Sequence, residues 1–151
     1  MRGKHERTDN AELRAWLRSD GATLGDPAKL PWCGDAVETA IKRALPNEPI
    51  PQNPYLARNW LDFGVEVPLT KWAVCVFWRG RRSGISGHVG FVAGEDATTV
   101  HVLGGNQSNA VTITRISKKR LLGCRWPKTG APPSGAELAN VAKGAVSTNE
   151  A

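Results

Sequence analysis

Three cysteines, one methionine and one tyrosine are all that this chain of 151 residues holds of those types. An odd number of cysteines, Cys33, Cys75 and Cys124, spread far apart, argues against a disulfide framework and leaves at least one thiol free. Cys-x-x-Cys and His-x-x-x-His pairs are absent, so no structural zinc site is expected. Phosphate-binding loops and dinucleotide fingerprints are absent too, and no cofactor is expected. A serine-nucleophile elbow fails because Gly84 and Ser86 are followed by His88 where a glycine is needed. A glycosidase with paired carboxylates is not excluded by motif, because its acids need no fixed spacing. Long apolar runs are missing, so no membrane span is expected. The opening residues, Met1 to Asn10, lack the apolar stretch of a signal peptide, which makes the cytoplasm the expected starting compartment.

What is present reads as a globular domain with tails: 40 % hydrophobic and 23 % charged residues. The net charge of +6 draws polyanions by long-range attraction. Nucleic acid, an anionic membrane and the acidic polymers of a bacterial envelope all qualify, and charge alone does not choose among them.

Apolar spacing predicts a short helix over 10–21, with Leu13, Trp16 and Leu17 on one face. It predicts a second over 32–45, where Cys33, Val37, Ala40, Ile41 and Ala44 recur at helical intervals and Pro46 ends the run. A third short helix is expected over 56–63. Strands follow at 72–78, 88–93, 98–103 and 110–116, closely spaced enough for an antiparallel meander. Trp72 and Trp78 read as core. Helices followed by strands give an α+β fold with the helices packed on one side of the sheet. The expected division is a flexible N-terminus over 1–9, one domain over 10–127 and a flexible tail over 128–151.

Cys33 falls at the leading end of the second helix, where unpaired amides and the helix dipole favour a thiolate and can hold an oxyanion. A buried, inert cysteine is the competing reading. His88 opens a strand and supplies an imidazole of near-neutral pKa. Gly90, on the same strand face, is expected to leave open space beside that imidazole. His101 ranks second as a base. Asn106 or Gln107, after Gly104-Gly105, can accept from the histidine and fix its tautomer; a turn chosen for its backbone angles is the alternative. Trp32 and Trp60 are expected to line a cleft near Cys33. Cys75 and Cys124 read as packing, and the basic runs at 79–82 and 118–120 as solvated charge.

Three segments together, Pro31-Trp32-Cys33-Gly34, Gly87-His88-Val89-Gly90-Phe91 and Val102 through Asn109, resemble bacterial and phage cell-wall hydrolases related to the NlpC/P60 and CHAP families. Gly123-Cys124-Arg125-Trp126-Pro127 resembles the end of that domain. The resemblance spans 10–127 and implies a papain-like fold, with Cys33 as nucleophile, His88 as base and Asn106 as third member. Asp35 and Gln107 join Trp32 and Trp60 as expected substrate-binding residues. The implied activity is a cysteine peptidase or amidase (an endopeptidase or an N-acetylmuramoyl-L-alanine amidase) cutting the peptide part of bacterial peptidoglycan. The resemblance implies a monomeric endolysin, needing no nucleic acid, released from the host cytoplasm with a holin or carried in a virion. Thr70-Lys71-Trp72-Ala73 departs from the Gly-Asp pair common in such relatives. A catalytically inactive module that binds wall or another polyanion is the alternative.

Overall fold

In a computed structural model, residues 1–133, 141–142 and 145–148 are described. Helices α1 (Asn10–Arg18) and α2 (Cys33–Ala44) come first, then a 3-10 helix (Ala57–Asp62). Six strands follow: β1 (Val65–Val67), β2 (Val74–Trp78), β3 (Gly87–Glu95), β4 (Thr99–Gln107), β5 (Ala110–Ser117) and β6 (Leu121–Trp126). They form one antiparallel sheet in the order β1-β6-β2-β3-β4-β5.

The helices form where the apolar period says. Leu13 and Leu17 bury one face of α1. On α2, Cys33, Val37 and Ile41 pack against Val74, Val76 and Val89 of the sheet, with Trp60 and Phe63 completing the cluster. Acidic Asp35 in the first turn of α2 and basic Lys42 and Arg43 in the last suit the helix dipole. The run expected as a third α-helix is too short for stable i→i+4 pairing and takes the tighter 3-10 form.

β2 to β5 make the expected meander. The ends β1 and β6 did not show in the sequence: β1 has three residues, and β6 is broken in pattern by Gly123. β6 inserts between β1 and β2, so β2 is an interior strand, as its two apolar faces require. The sheet's second face holds Ala73, Cys75, Phe77, Val92, Val100, Val102, Ile116 and Cys124. Register shifts at 76/77, 92/94 and 104/107 bend the strands around that cluster. Cys75 and Cys124 are direct register partners there; burial pushes the Cys124 thiol up to about 11 and that of Cys75 well above its usual value.

Trp72 is not core. Its φ of 69° breaks the strand before Val74, and the side chain is 51 % exposed beneath the Lys71 ammonium. The expected flexible tail falls partly on 134–140, 143–144 and 149–151, outside the described residues. Of its described part, the Val141 and Ala142 amides donate to His101 Nδ1, and Val146 bridges Arg115 on β5.

Close approach of α2 to β4 depends on Gly105. A Cβ there would lie 2.6 and 2.7 Å from the Trp32 ring and 3.0 Å from the Ala36 methyl. Gly105→Ala is expected to cost about 1–3 kcal/mol by overpacking, whereas Gly123→Ala, which meets only the mobile end of Leu61 at 3.2 Å, is expected to cost much less. Urea unfolding midpoints of the two variants measure the difference.

Candidate functional site

Trp32 immediately precedes α2 and offers no side-chain cap, so the first amides of the helix are left to other acceptors. Cys33 opens that helix, and the amides of Val89 on β3 and of Gly34 and Cys33 at the helix start draw its thiol pKa down. The Arg79 guanidinium adds an attractive charge. These favour a thiolate, as the helix-end argument anticipates. Burial outweighs them: Cys33 is 6 % exposed, and desolvation pushes its thiol above the usual range. The expectation of a pre-formed thiolate is therefore corrected. In this arrangement the sulfur holds its proton.

His88 lies on β3 one residue before Val89, whose amide favours the Cys33 thiolate, and it is fully buried. Its Nε2 lies 2.9 Å from Gln107 Oε1. The Gln107 amide is fixed by its other end, since Nε2 donates to the carbonyls of Val102 at 3.0 Å and Thr112 at 2.6 Å. Oε1 must then accept, which places the imidazole proton on Nε2 and the basic lone pair on Nδ1. No hydrogen bond joins Cys33 to His88 among the described residues.

Of the two residues expected after Gly104-Gly105, Gln107 bonds His88, and Asn106, the third member the resemblance implies, does not take that place. The reason lies in the strand. Asn106 takes a φ of 59°, and the β4–β5 register shifts between Gly104 and Gln107. The added residue turns Gln107 inward and leaves Asn106 lining a neighbouring cleft. The reversal itself comes later, at Ser108 and Asn109 with φ of 52° and 60°, the signature of a two-residue hairpin turn. Gly104 and Gly105 serve close packing rather than a turn. The open space expected beside Gly90 is filled as well: a Cβ there would sit 2.5 Å from Val102 Cγ1.

The other expected binding residues are structural. Trp32 is buried, its indole donating to Glu6 Oε2 at 2.8 Å. Trp60 is buried too, with Nε1 donating to the Pro54 carbonyl at 2.8 Å and its ring 5.1 Å from that of Phe63. Neither indole offers a face to a substrate. Asp35 Oδ2 accepts from Thr23 Oγ1 at 2.8 Å and the Leu24 amide at 3.0 Å, tying the loop after α1 to the start of α2. His101 is locked between Asp96, at 2.9 Å from its Nε2, and two backbone amides on Nδ1. That ends its candidacy as a base.

Beside Asp35, Glu38 and Asp20 crowd the same flank of α2. Asp20 Oδ2, Asp35 Oδ1 and Glu38 Oε1 are buried without hydrogen-bond partners among the described residues. Burial, then the charge of Asp20, pushes Glu38 up to about 7. The folded value lies above the 4.5 of a free glutamate, so the fold binds this proton more tightly than the unfolded chain. Stability from this source is full at low pH and is lost as pH rises from about 4.5 through 7. Glu38→Gln is expected to raise Tm by about 3–6 °C at alkaline pH and to change it little in acid; thermal scans across that range read the difference.

Arg79, Lys29, Pro31, Asn106 and Asn109 line a cleft of about 320 Å³ that also reaches Glu6. No helix of the described residues is long and apolar enough to cross a membrane. No group of three or more His, Cys, Asp or Glu among them is placed to hold a metal ion. No family model matches the chain, and no curated protein or solved structure matches it.

Because the resting thiol keeps its proton, alkylation of Cys33 by iodoacetamide is expected to keep accelerating beyond pH 9. Peptide mapping across a pH series reads it; a plateau below about pH 8 would mean that a thiolate is already formed.

Proposed function

We propose that this protein is a cysteine hydrolase that cuts an amide bond in the peptide part of bacterial peptidoglycan. Cys33 is the nucleophile, His88 the base and Gln107 the residue that orients it. The observation that carries this reading is the fixed tautomer of His88. Gln107 holds the Nε2 proton, so the basic Nδ1 belongs to the residue next to Val89, whose amide favours the Cys33 thiolate. The motif resemblance supplies the substrate class, and the net charge of +6 suits an anionic wall.

A protonated resting thiol calls for general-base chemistry. Rotation of the Cys33 side chain brings sulfur towards His88 Nδ1; bonds of this kind tighten when substrate binds. Nδ1 takes the thiol proton as sulfur attacks the peptide carbonyl. The oxyanion forms against the Cys33 and Gly34 amides. The imidazolium returns its proton to the leaving amine, and water, deprotonated by the same nitrogen, releases the acyl group. The enzyme acts as a monomer that meets the wall after holin-assisted release or delivery in a virion.

The buried thiol and the missing Cys33–His88 bond favour a second reading, an inactive module of the same fold that only binds wall. Peptide release from purified sacculi separates the two. Cys33→Ala is expected to abolish release, His88→Ala to lower it by about 10²–10⁴, and Gln107→Ala to lower it by roughly 10–100-fold. Asn106→Ala is expected to have a much smaller effect. Wild-type protein that binds sacculi but frees no peptide would establish the binding module.

A further inference from the structure

The sheet sorts the three thiols. Cys33 packs with Val74, Val76 and Val89 on the face that α2 covers. Cys75 and Cys124 pack with Phe77, Val92 and Val102 on the opposite face. The backbone layer stands between Cys33 and the other two, so Cys75 and Cys124 have only each other as neighbouring thiols.

Cys75 on β2 is the register partner of Cys124 on β6. Such partners project to the same side of an antiparallel sheet. The kind of pair follows from how β2 directs its backbone. The Arg79 amide donates to the Ser86 carbonyl at 3.1 Å, on the β3 side, one pair beyond the Trp78–Gly87 register. Backbone groups along a strand turn to alternate sides, so Phe77 and Cys75 also bond towards β3. The Trp78 carbonyl points the other way, where Arg120 Nε donates to it at 3.0 Å. Cys75 and Cys124 are therefore a non-hydrogen-bonded pair, the class whose Cα atoms stand about 4.5 Å apart. A disulfide accepts a Cα separation of roughly 4.4–6.8 Å. Burial first, and then the charge of an ionised Cys124, pushes the Cys75 thiol up, as expected of two sulfurs close together. In the reduced protein Cys75 Sγ donates to the Gly90 carbonyl at 3.4 Å, and it must turn from that carbonyl to meet Cys124.

Access comes through Cys124. Its partner on the other flank is Val67, the last residue of the three-residue strand β1, whose first two residues are exposed. So short an edge strand opens readily. Its opening uncovers Cys124 before Cys75, which is fully buried on an interior strand.

We propose that Cys75 and Cys124 are a disulfide site, closed by a small-molecule disulfide in an oxidising compartment, with Cys33 left out of the bridge. The Cys124 thiol loses its proton to solvent, and its sulfur attacks one sulfur of the oxidant. The other half of the oxidant leaves as a thiolate and takes up a proton from solvent. Cys75 then attacks the Cys124 sulfur of the mixed disulfide. The second half of the oxidant leaves as a thiolate and receives the Cys75 proton. Two protein thiols are oxidised to one disulfide, and one oxidant disulfide is reduced to two thiols. The new bond ties β2 to β6 across the chain that holds β3, β4 and β5, which restrains the unfolded state. The site is separate from the Cys33–His88 pair and holds whether or not the protein is a hydrolase.

The test uses the reduced full chain and oxidised glutathione. After incubation, remaining thiols are alkylated with iodoacetamide in denaturant and peptides are mapped without reduction. A linked Cys75–Cys124 peptide pair is expected, with Cys33 outside it. Tm is expected to rise by about 5–10 °C and to fall back with dithiothreitol. Cys75→Ala is expected to stop at a glutathione adduct on Cys124, with no such rise, and Cys33→Ala to form the link as the parent does. Glutathione on Cys33 with both Cys75 and Cys124 alkylated overturns the site, and so does a bridge that includes Cys33. A Cys75–Cys124 link that forms only when oxidation is carried out in denaturant overturns it as well, because the native register then plays no part.

Discussion

The leading turn of α2 pressed against the start of β3 is the contact on which the rest of this molecule depends. An uncapped helix end has amides to satisfy, and a strand beginning beside it has one more. The Cys33 thiol is the group whose anion those amides favour. Such closeness needs glycine at Gly34, whose Cβ would strike the Pro54 carbonyl, and at Gly105, whose Cβ would strike Trp32. The same Pro54 carbonyl accepts from Trp60, which joins the helix start to the 3-10 helix and the sheet's inner face. A residue that looks like a reactive nucleophile is thus also a core residue.

That double role sets the chemistry. Three amides and a guanidinium favour the anion, and the loss of water opposes it. Solvation of a thiolate is the larger quantity when the group is buried, so the proton stays. The imidazole is oriented by Gln107, whose side-chain oxygen accepts from Nε2. A closed, protonated site of this kind avoids a permanently exposed thiolate open to oxidation. It also makes substrate entry and the ordering of sulfur against nitrogen part of the reaction. Two carboxylates outside the site behave oppositely. Asp96, surrounded by Thr99 and His101, is held well below the usual carboxylate range, while Glu38, buried near Asp20, is held above it.

Much of the fold was legible because it is written in short-range periodicity. The face of α2 that carries Cys33, Val37 and Ile41 repeats at helical spacing, and the two-faced apolar run of β2 could only be an interior strand. Misreadings gathered where a single backbone angle changes direction. The φ of Trp72 removed it from its strand and exposed its ring, and the φ of Asn106 exchanged the roles of that residue and Gln107. Strand β6 was hidden because its pairing with β1 and β2 is long-range, and nothing in six local residues announces it.

From the sequence alone came the helix that opens at Cys33, the strand that opens at His88 and the polar pair that follows Gly104-Gly105, because each is a local pattern of neighbours. Tertiary structure decided which amide meets the imidazole, that Asp35, Trp32 and Trp60 hold the scaffold, and that the thiol keeps its proton. Those outcomes depend on a register shift and on exclusion of water, and both arise only when distant segments pack together.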